Sequence, residues 1–337
     1  MLYFRSLFLI TIILVNISKG QEDERVANGE DAVSKQFPHQ VLILTFYEDN
    51  KIAYCSGSIL NEEWVLTAAH CLEEDLGKFK LIAIAGDIYA SEKRGSVGRK
   101  VLNSTKWFQH ELFSSDGDIG HDIALIKLSE KLTFNEFVQP IARAVDDLKE
   151  GTRCTASGWG LTEKIDVSDV LRWGVVETLS HSVCERVFKS TTTKFADSQY
   201  CVGDRDKTVG PCSGDSGSPL TCLEPTSKKA YVHGVLSYGS IEDDKCGQLP
   251  VVYTKVASFD AWINEIIKNN TAVNIDENSS RSVVTAAAIS VGVFLFLCLT
   301  ITAILYLRQL KKTGANKRTV AAENVVDNNV QKGLNKV

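Results

Sequence analysis

Residues 210–220 read GPCSGDSGSPL, with Ser216 after Asp215 and before Gly217. Small residues let a backbone pass close to a ligand, but Gly, Ser and Pro runs are also ordinary loops. By itself the stretch does not separate a nucleophile from a polar turn. A serine that performs acyl transfer needs a general base, and the base needs an orienting acid. Six histidines are available, at 39, 70, 110, 121, 181 and 233. His70 differs in context: it follows the strand-like EEWVLTAA and precedes Cys71, which can be stapled to Cys55. Asp122 opens the apolar run DIALIKL, where an acid is well placed to hold an imidazole in one tautomer. Ser216, His70 and Asp122 together would give acyl transfer through a covalent intermediate.

Those residues need a scaffold, and the sequence describes an all-β one. Short apolar or alternating runs recur: QVLILTFY, WVLTAA, KLIAIAG, DIALIKL, AYVHGVLSYG and VVYTKV. Gly, Asn and Asp clusters separate them, as in sandwiches and barrels. One helix closes the domain. Ser258 is placed to cap FDAWINEIIKNN, with Phe259, Ile263 and Ile266 on one face. About 240 residues with a single terminal helix suit β-barrels better than a parallel α/β sheet.

The ends set the compartment. In residues 1–20, Arg5 precedes the apolar stretch Leu7–Val15 and small residues lead to Gly20, the pattern of a secretory signal peptide. As an uncleaved anchor that stretch is too short. Val283–Leu307 contains no charge; as a helix it would be about 37 Å long, against a hydrocarbon core of about 30 Å. Arg308, Lys311, Lys312, Lys317 and Arg318 follow, a basic flank of the cytoplasmic kind. The expected topology is single-pass type I: residues 21–282 extracellular or lumenal, 269–282 a polar stalk, 283–307 the transmembrane helix and 308–337 a cytoplasmic tail. Glycan acceptor sites stand at Asn103, Asn269 and Asn278. The net charge of −5 includes no block of like charge, so no nucleic-acid partner is expected.

Of nine cysteines, Cys298 lies in the expected span and the rest are exported. An even exported set in an oxidising compartment implies four disulfides, with 105 connectivities open on spacing alone. Zinc would need close Cys or His pairs, and these cysteines are scattered, so neither metal nor cofactor is expected.

LTAAHC (66–71), HDIALIKL (121–128) and CSGDSGSP (212–219), in that order, resemble the motifs of the chymotrypsin-like serine proteases. CTASGWG (154–160) and SYG (237–239) add to the resemblance, which runs from about Val26 to Lys268. The order His, Asp, Ser sets the chain apart from the α/β-hydrolases. The resemblance implies two six-stranded antiparallel barrels with the triad at their junction. It makes Ser216 the nucleophile, His70 the base and later the acid, and Asp122 the orienting carboxylate. It places the oxyanion hole at the N–H groups of Gly214 and Ser216, and Ser237 beside Asp122. It implies the disulfides Cys55–Cys71, Cys154–Cys222, Cys184–Cys201 and Cys212–Cys246, leaving Cys298 unpaired.

The resemblance also implies a zymogen. QEDER (21–25) would be an activation propeptide cut after Arg25, and the freed ammonium of Val26 would pair with Asp215. The substrate pocket would involve Gly210, Pro211, Ser213, Ser237, Tyr238, Gly239 and Val251. Gly210 stands where trypsin-like members carry an acid, and Val251 is larger than the usual Gly. The expected pocket is apolar with a raised floor, so cleavage after small or medium apolar residues is expected first, after aromatics second, and not after Arg or Lys. The partners implied are protein or peptide substrates, a separate trypsin-like activating protease and serine protease inhibitors. The chain departs from the family pattern at Ser218 (usually Gly), at His121 (commonly Asn), at the start VANG (26–29), and around Asp87–Glu92, which matches no calcium loop. The competing reading is a catalytically inactive relative acting as a membrane-bound binding module. Such relatives typically lose a triad residue, and all three are present.

Overall fold

The computed structural model describes residues 29–48, 51–72, 78–92, 97–104, 106–115, 119–161, 168–189, 195–206, 209–239, 246–271, 295–309 and 311. The expected signal peptide, the Arg25–Val26 activation site, most of the stalk and the expected tail beyond 311 lie outside them. The chain divides into two units, Met1–Ile266 and Ile267–Val337.

The first unit opens with β1 (Glu30–Asp31) and continues through β2 (Gln40–Tyr47), β3 (Ile52–Ile59), β4 (Trp64–Thr67), β5 (Lys78–Ala85), β6 (Lys100–Ser104), β7 (Lys106–Gln109) and β8 (Ala124–Lys127). Strands β2 to β8 form one antiparallel sheet in the order β6-β5-β2-β3-β4-β8-β7. Its two edge strands are consecutive in sequence, and Ser104 Oγ donates to the Lys127 carbonyl at 2.6 Å while Ser129 N–H donates to the Asn103 carbonyl at 3.1 Å. The sheet thus curls until its edges meet, which removes exposed strand edges. Counting β6 and β7 as two halves of one strand gives the six expected.

The second barrel is built from β10 (Arg153–Gly158), β11 (Arg172–Leu179), β12 (Gln199–Gly203), β13 (Pro219–Leu223), β14 (Ala230–Tyr238) and β15 (Val251–Lys255). It runs β11-β10-β13-β14-β15-β12, and β12 pairs back onto β11. β1 adds to its β11 edge, and the short β9 (Ala142–Arg143) pairs with β14 in parallel. A short helix, α1 (His181–Val187), precedes β12.

β-branched and other large apolar side chains fill both barrels. Ile59, Leu66, Leu81, Leu125 and Ile126 are buried in the first, and Ala156, Val202, Leu220 and Tyr253 in the second. Burying each large one contributes about 1.5–3 kcal/mol. Leu42 and Ile84 of the first barrel pack with Trp159 and Leu171, so the two barrels share a seam.

All four disulfides join the pairs expected, with Cα separations of 6.2, 4.4, 5.7 and 5.3 Å. The helix start differs from expectation. Ser258 lies inside a 3-10 turn, Ala257–Phe259, and the residue before that turn, Val256, already has helical dihedrals and no side-chain cap. Val256 N–H donates to the His233 carbonyl, so tertiary contact starts the turn before a serine cap can. α-Helix then runs through 260–271, with Phe259 and Ile263 buried and Ile266 half-buried.

Among the described residues no helix is long and apolar enough to cross a membrane. Of the expected span 283–307, residues 295–307 are described and helical, part of a helical stretch that runs to 309 and is about 22 Å long; 283–294 lie outside the description.

Candidate active site

Strand register brings His70 and Asp122 together. β4 pairs with β8 so that Thr67 faces Ala124; continuing that register by two residues sets Asp122 opposite Ala69. His70 begins a 3-10 turn, with Ala68 and Ala69 between it and the end of β4. Its backbone N–H donates to Asp122 Oδ1 at 2.9 Å, and its Nδ1–H donates to Asp122 Oδ2 at 2.7 Å. Asp122 is buried, and Ser237 Oγ donates to the same Oδ2 at 2.5 Å. Both carboxylate oxygens are thus engaged, which fixes the imidazole tautomer with Nδ1 protonated and Nε2 as the basic nitrogen.

Ser216 belongs to the second barrel but lies against the first. Its carbonyl accepts from Ser56 N–H at 2.7 Å. The next residue, Gly217, has φ +79° and no room for a Cβ, which would strike the Ser56 carbonyl and Thr67 Oγ1 and lie 3.2 Å from Ala68 N. The serine therefore sits beside the strand end that carries His70. Gly214, at φ +93°, turns the loop before it.

Asp215, between them, points inward. It is buried, and its carboxylate accepts from Gly160 N–H at 2.7 Å and Cys212 N–H at 2.9 Å. Burial pushes its pKa up to about 6, against the lowering effect of those two donors. A Cβ on either Gly158 or Gly160 would collide with this carboxylate.

A cavity of about 240 Å³ opens next to Ser216. Pro211, Ser213, Ser237, Tyr238, Gly239 and Val251 line it as expected. Gly210 does not; it lies behind the wall, and a Cβ there would come within 3.0 Å of Gly247 Cα. A Cβ on Gly239 would lie 3.0 Å from Val251 Cγ1, so that valine rests on the pocket wall. Leu249 and Gly247 also line the cavity and escaped the sequence reading. The signal for Leu249 was its place two residues before Val251, visible only once the loop's return path is known. Among the described residues, none that lines the cavity carries a charge.

The one set with metal-ligand spacing among the described residues is Cys55, His70 and Cys71. Its sulfurs are bonded to each other, so they offer no thiolate. Around Asp87, a guanidinium fills the loop: Arg99 donates to the Asp87 carboxylate at 3.0 Å and to the carbonyls of Tyr89 and Ala90 at 2.8 and 3.1 Å. His121, which departs from the family pattern, stacks on His110 at 5.0 Å, with Phe259 edge-on to both rings. Ser218 is fully buried, and its carbonyl accepts from Leu236 N–H.

A family model described as Trypsin matches residues 26–263. The chain belongs to the trypsin family of serine proteases. It is 33% identical over 256 residues to Chymotrypsin-C of Rattus norvegicus, covering 72% of this chain and 89% of that one. It is 31% identical to Trypsin-1 of Salmo salar, over 76% and 96% of the two chains. It is 29% identical to Chymotrypsin-like elastase family member 1 of Felis catus, over 79% and 99%. These relatives differ in the specificity their names carry, so membership in the trypsin family establishes a serine endopeptidase and leaves open the residue after which it cuts.

Proposed function

We propose that this trypsin-family protease cuts peptide bonds after apolar residues by the family's Ser-His-Asp acyl-enzyme route. His70 Nε2 takes the Ser216 Oγ proton as that oxygen attacks the scissile carbonyl. Asp122, engaged by His70 and Ser237, holds the resulting imidazolium. The N–H groups of Gly214 and Ser216 receive the oxyanion, each such donor contributing about 2.7–4 kcal/mol to the transition state. His70 then protonates the leaving amine, and water repeats the sequence on the acyl-enzyme.

The observation that supports apolar specificity is the cavity beside Ser216, whose described lining residues carry no charge and include Val251 and Leu249. A guanidinium there would be buried without a counter-charge, which is very costly. Peptide substrates with Arg, Ala, Leu or Phe before the scissile bond distinguish the readings. Ala and Leu are expected to be turned over fastest and Arg slowest; dominant turnover of Arg would overturn the pocket reading.

The proposal includes two finer points. The protease is made as a zymogen cut after Arg25 by a trypsin-like enzyme, whereupon the Val26 ammonium meets the buried Asp215. It is held in the membrane by residues 283–307, with the protease domain outside. An Arg25→Gln chain is expected to be exported but inactive; full activity would contradict the activation step. Protease added to intact cells is expected to remove a tag placed after Gly29 and spare one after Val337, and the reverse result would overturn the topology.

A further inference from the structure

Three adjacent strands connect the start of the protease domain to Asp215. Asp31 of β1 is directly opposite Arg172 of β11, and Arg172 is directly opposite Gly158 of β10. The Asp215 carboxylate lies on Gly158, so closely that no Cβ fits between them. Neighbouring strands are about 4.8 Å apart, which puts β1 about 10 Å from the strand under Asp215. The five residues Val26–Glu30 can span at most about 17 Å, enough for the first of them to reach the carboxylate once β1 is docked.

Beside the β1–β11 ladder, the Arg172 side chain also engages this segment. Its side chain is only 4% exposed. Its guanidinium donates to the Gly29 carbonyl and sits 3.5 Å from Asp31 Oδ1. These two partners belong to the segment that directly follows the expected cut. A desolvated guanidinium demands matched acceptors, so docking of this segment and satisfaction of Arg172 favour each other.

We propose that Arg172 is a positioning residue for activation: by holding Gly29 and Asp31 it aims the new Val26 ammonium at Asp215. This rests on the zymogen reading above. Its effect passes through the N-terminal segment and Asp215 to the oxyanion loop. The ammonium's tendency to stay inserted raises its apparent pKa above the free value of about 7.7–8.0. Activity that depends on it is therefore complete below the free value and is lost as pH rises through the raised one. Loss of the Arg172 clamp weakens docking and lowers that midpoint.

The test uses the full-length chain in detergent, cut with a trypsin-like protease, as wild type, Arg172→Met and Arg172→Lys. N-terminal sequencing follows the cut, cyanate labelling reports the accessibility of the Val26 amine, and kcat/KM is followed up the alkaline limb. In wild type the amine is expected to react with cyanate far more slowly than a free peptide VANG. Arg172→Met is expected to be cut at the same bond, to label about tenfold faster than wild type or more, and to show an alkaline midpoint moved down toward the free value. Arg172→Lys should fall between them. A protected amine and an unmoved alkaline limb in Arg172→Met would overturn the proposal. If that variant does not fold, an Arg172→Lys chain indistinguishable from wild type in both readouts overturns it equally. Failure of the zymogen reading looks different: wild type itself would label like the free peptide, and Arg25→Gln would be active.

Discussion

The two barrels present their chemistry in opposite ways. In the first, His70 and Asp122 sit at the ends of paired strands, and register alone brings them within 2.7 Å. In the second, Ser216 stands on the loop between β12 and β13, which turns on two positive-φ glycines and encloses a buried acid held by two backbone donors. The base and its acid are thus products of folding. The nucleophile's loop depends in addition on the buried Asp215 carboxylate and the donors it engages. If the chain is a zymogen as proposed, its switch lies in the second barrel.

The largest test breaks the rigid side. Asp122→Asn is expected to lower kcat by about 10⁴-fold, because the amide favours the wrong imidazole tautomer, with little change in thermal unfolding. A loss below tenfold would mean that something other than Asp122 orients His70.

Gly158→Ala breaks the conditional side alone. The added methyl meets the Asp215 carboxylate, so the oxyanion loop must shift. Activity is expected to fall by about 10²–10³-fold, the scale of one lost oxyanion donor, while the low-field proton NMR signal of the His70–Asp122 hydrogen bond persists. Loss of both together would show that the two sides are not separable.

His39 probes the contact between the barrels. Its carbonyl accepts from Ile59 N–H in the first barrel, while its Nε2 lies 3.5 Å from Thr221 Oγ1 in the second. Burial lowers its pKa from 6.5 to about 4. The folded protein therefore refuses a proton that the unfolded chain accepts, and stability is lost as pH falls from about 6.5 to about 4. The change is on the order of 3 kcal/mol. Urea unfolding at pH 7 and pH 4.5 should show that difference shrinking in His39→Gln; an unchanged pH dependence would assign acid lability elsewhere.

The smallest effect concerns the pocket. Val251→Gly should move preference toward Phe by about 1–3 kcal/mol, roughly 10–200-fold, measured as the ratio of kcat/KM for Phe and Ala substrates. An unmoved ratio would show that Val251 does not form the pocket floor.

Much of the fold was legible because its signals are local. Runs such as QVLILTFY and DIALIKL do become strands β2 and β8, and the closing helix lies where its apolar spacing placed it. Ser258 was misread because the start of that helix is set by the contact of Val256 with His233. Leu249 was missed because a pocket wall is made by chain segments that only the fold brings side by side. Arg99 gave no sign that its guanidinium would engage Asp87 and two carbonyls, since a cation's partners are set by how the chain folds back and not by its neighbours in sequence.

The amino-acid order determined which groups exist and which strands carry them: a serine between Asp215 and Gly217, a histidine at the end of an apolar run, an acid at the start of another, and eight cysteines that pair. Those are properties of residues and their neighbours in the chain. Tertiary structure decided the states of those groups. Asp122 sits against His70 and Ser237, Asp215 is pressed onto Gly158, His39 is kept neutral, and Arg172 reaches back across β1. Burial and charge partnership are non-local, because the groups that exclude water from a carboxylate or guanidinium come from strands far apart in sequence.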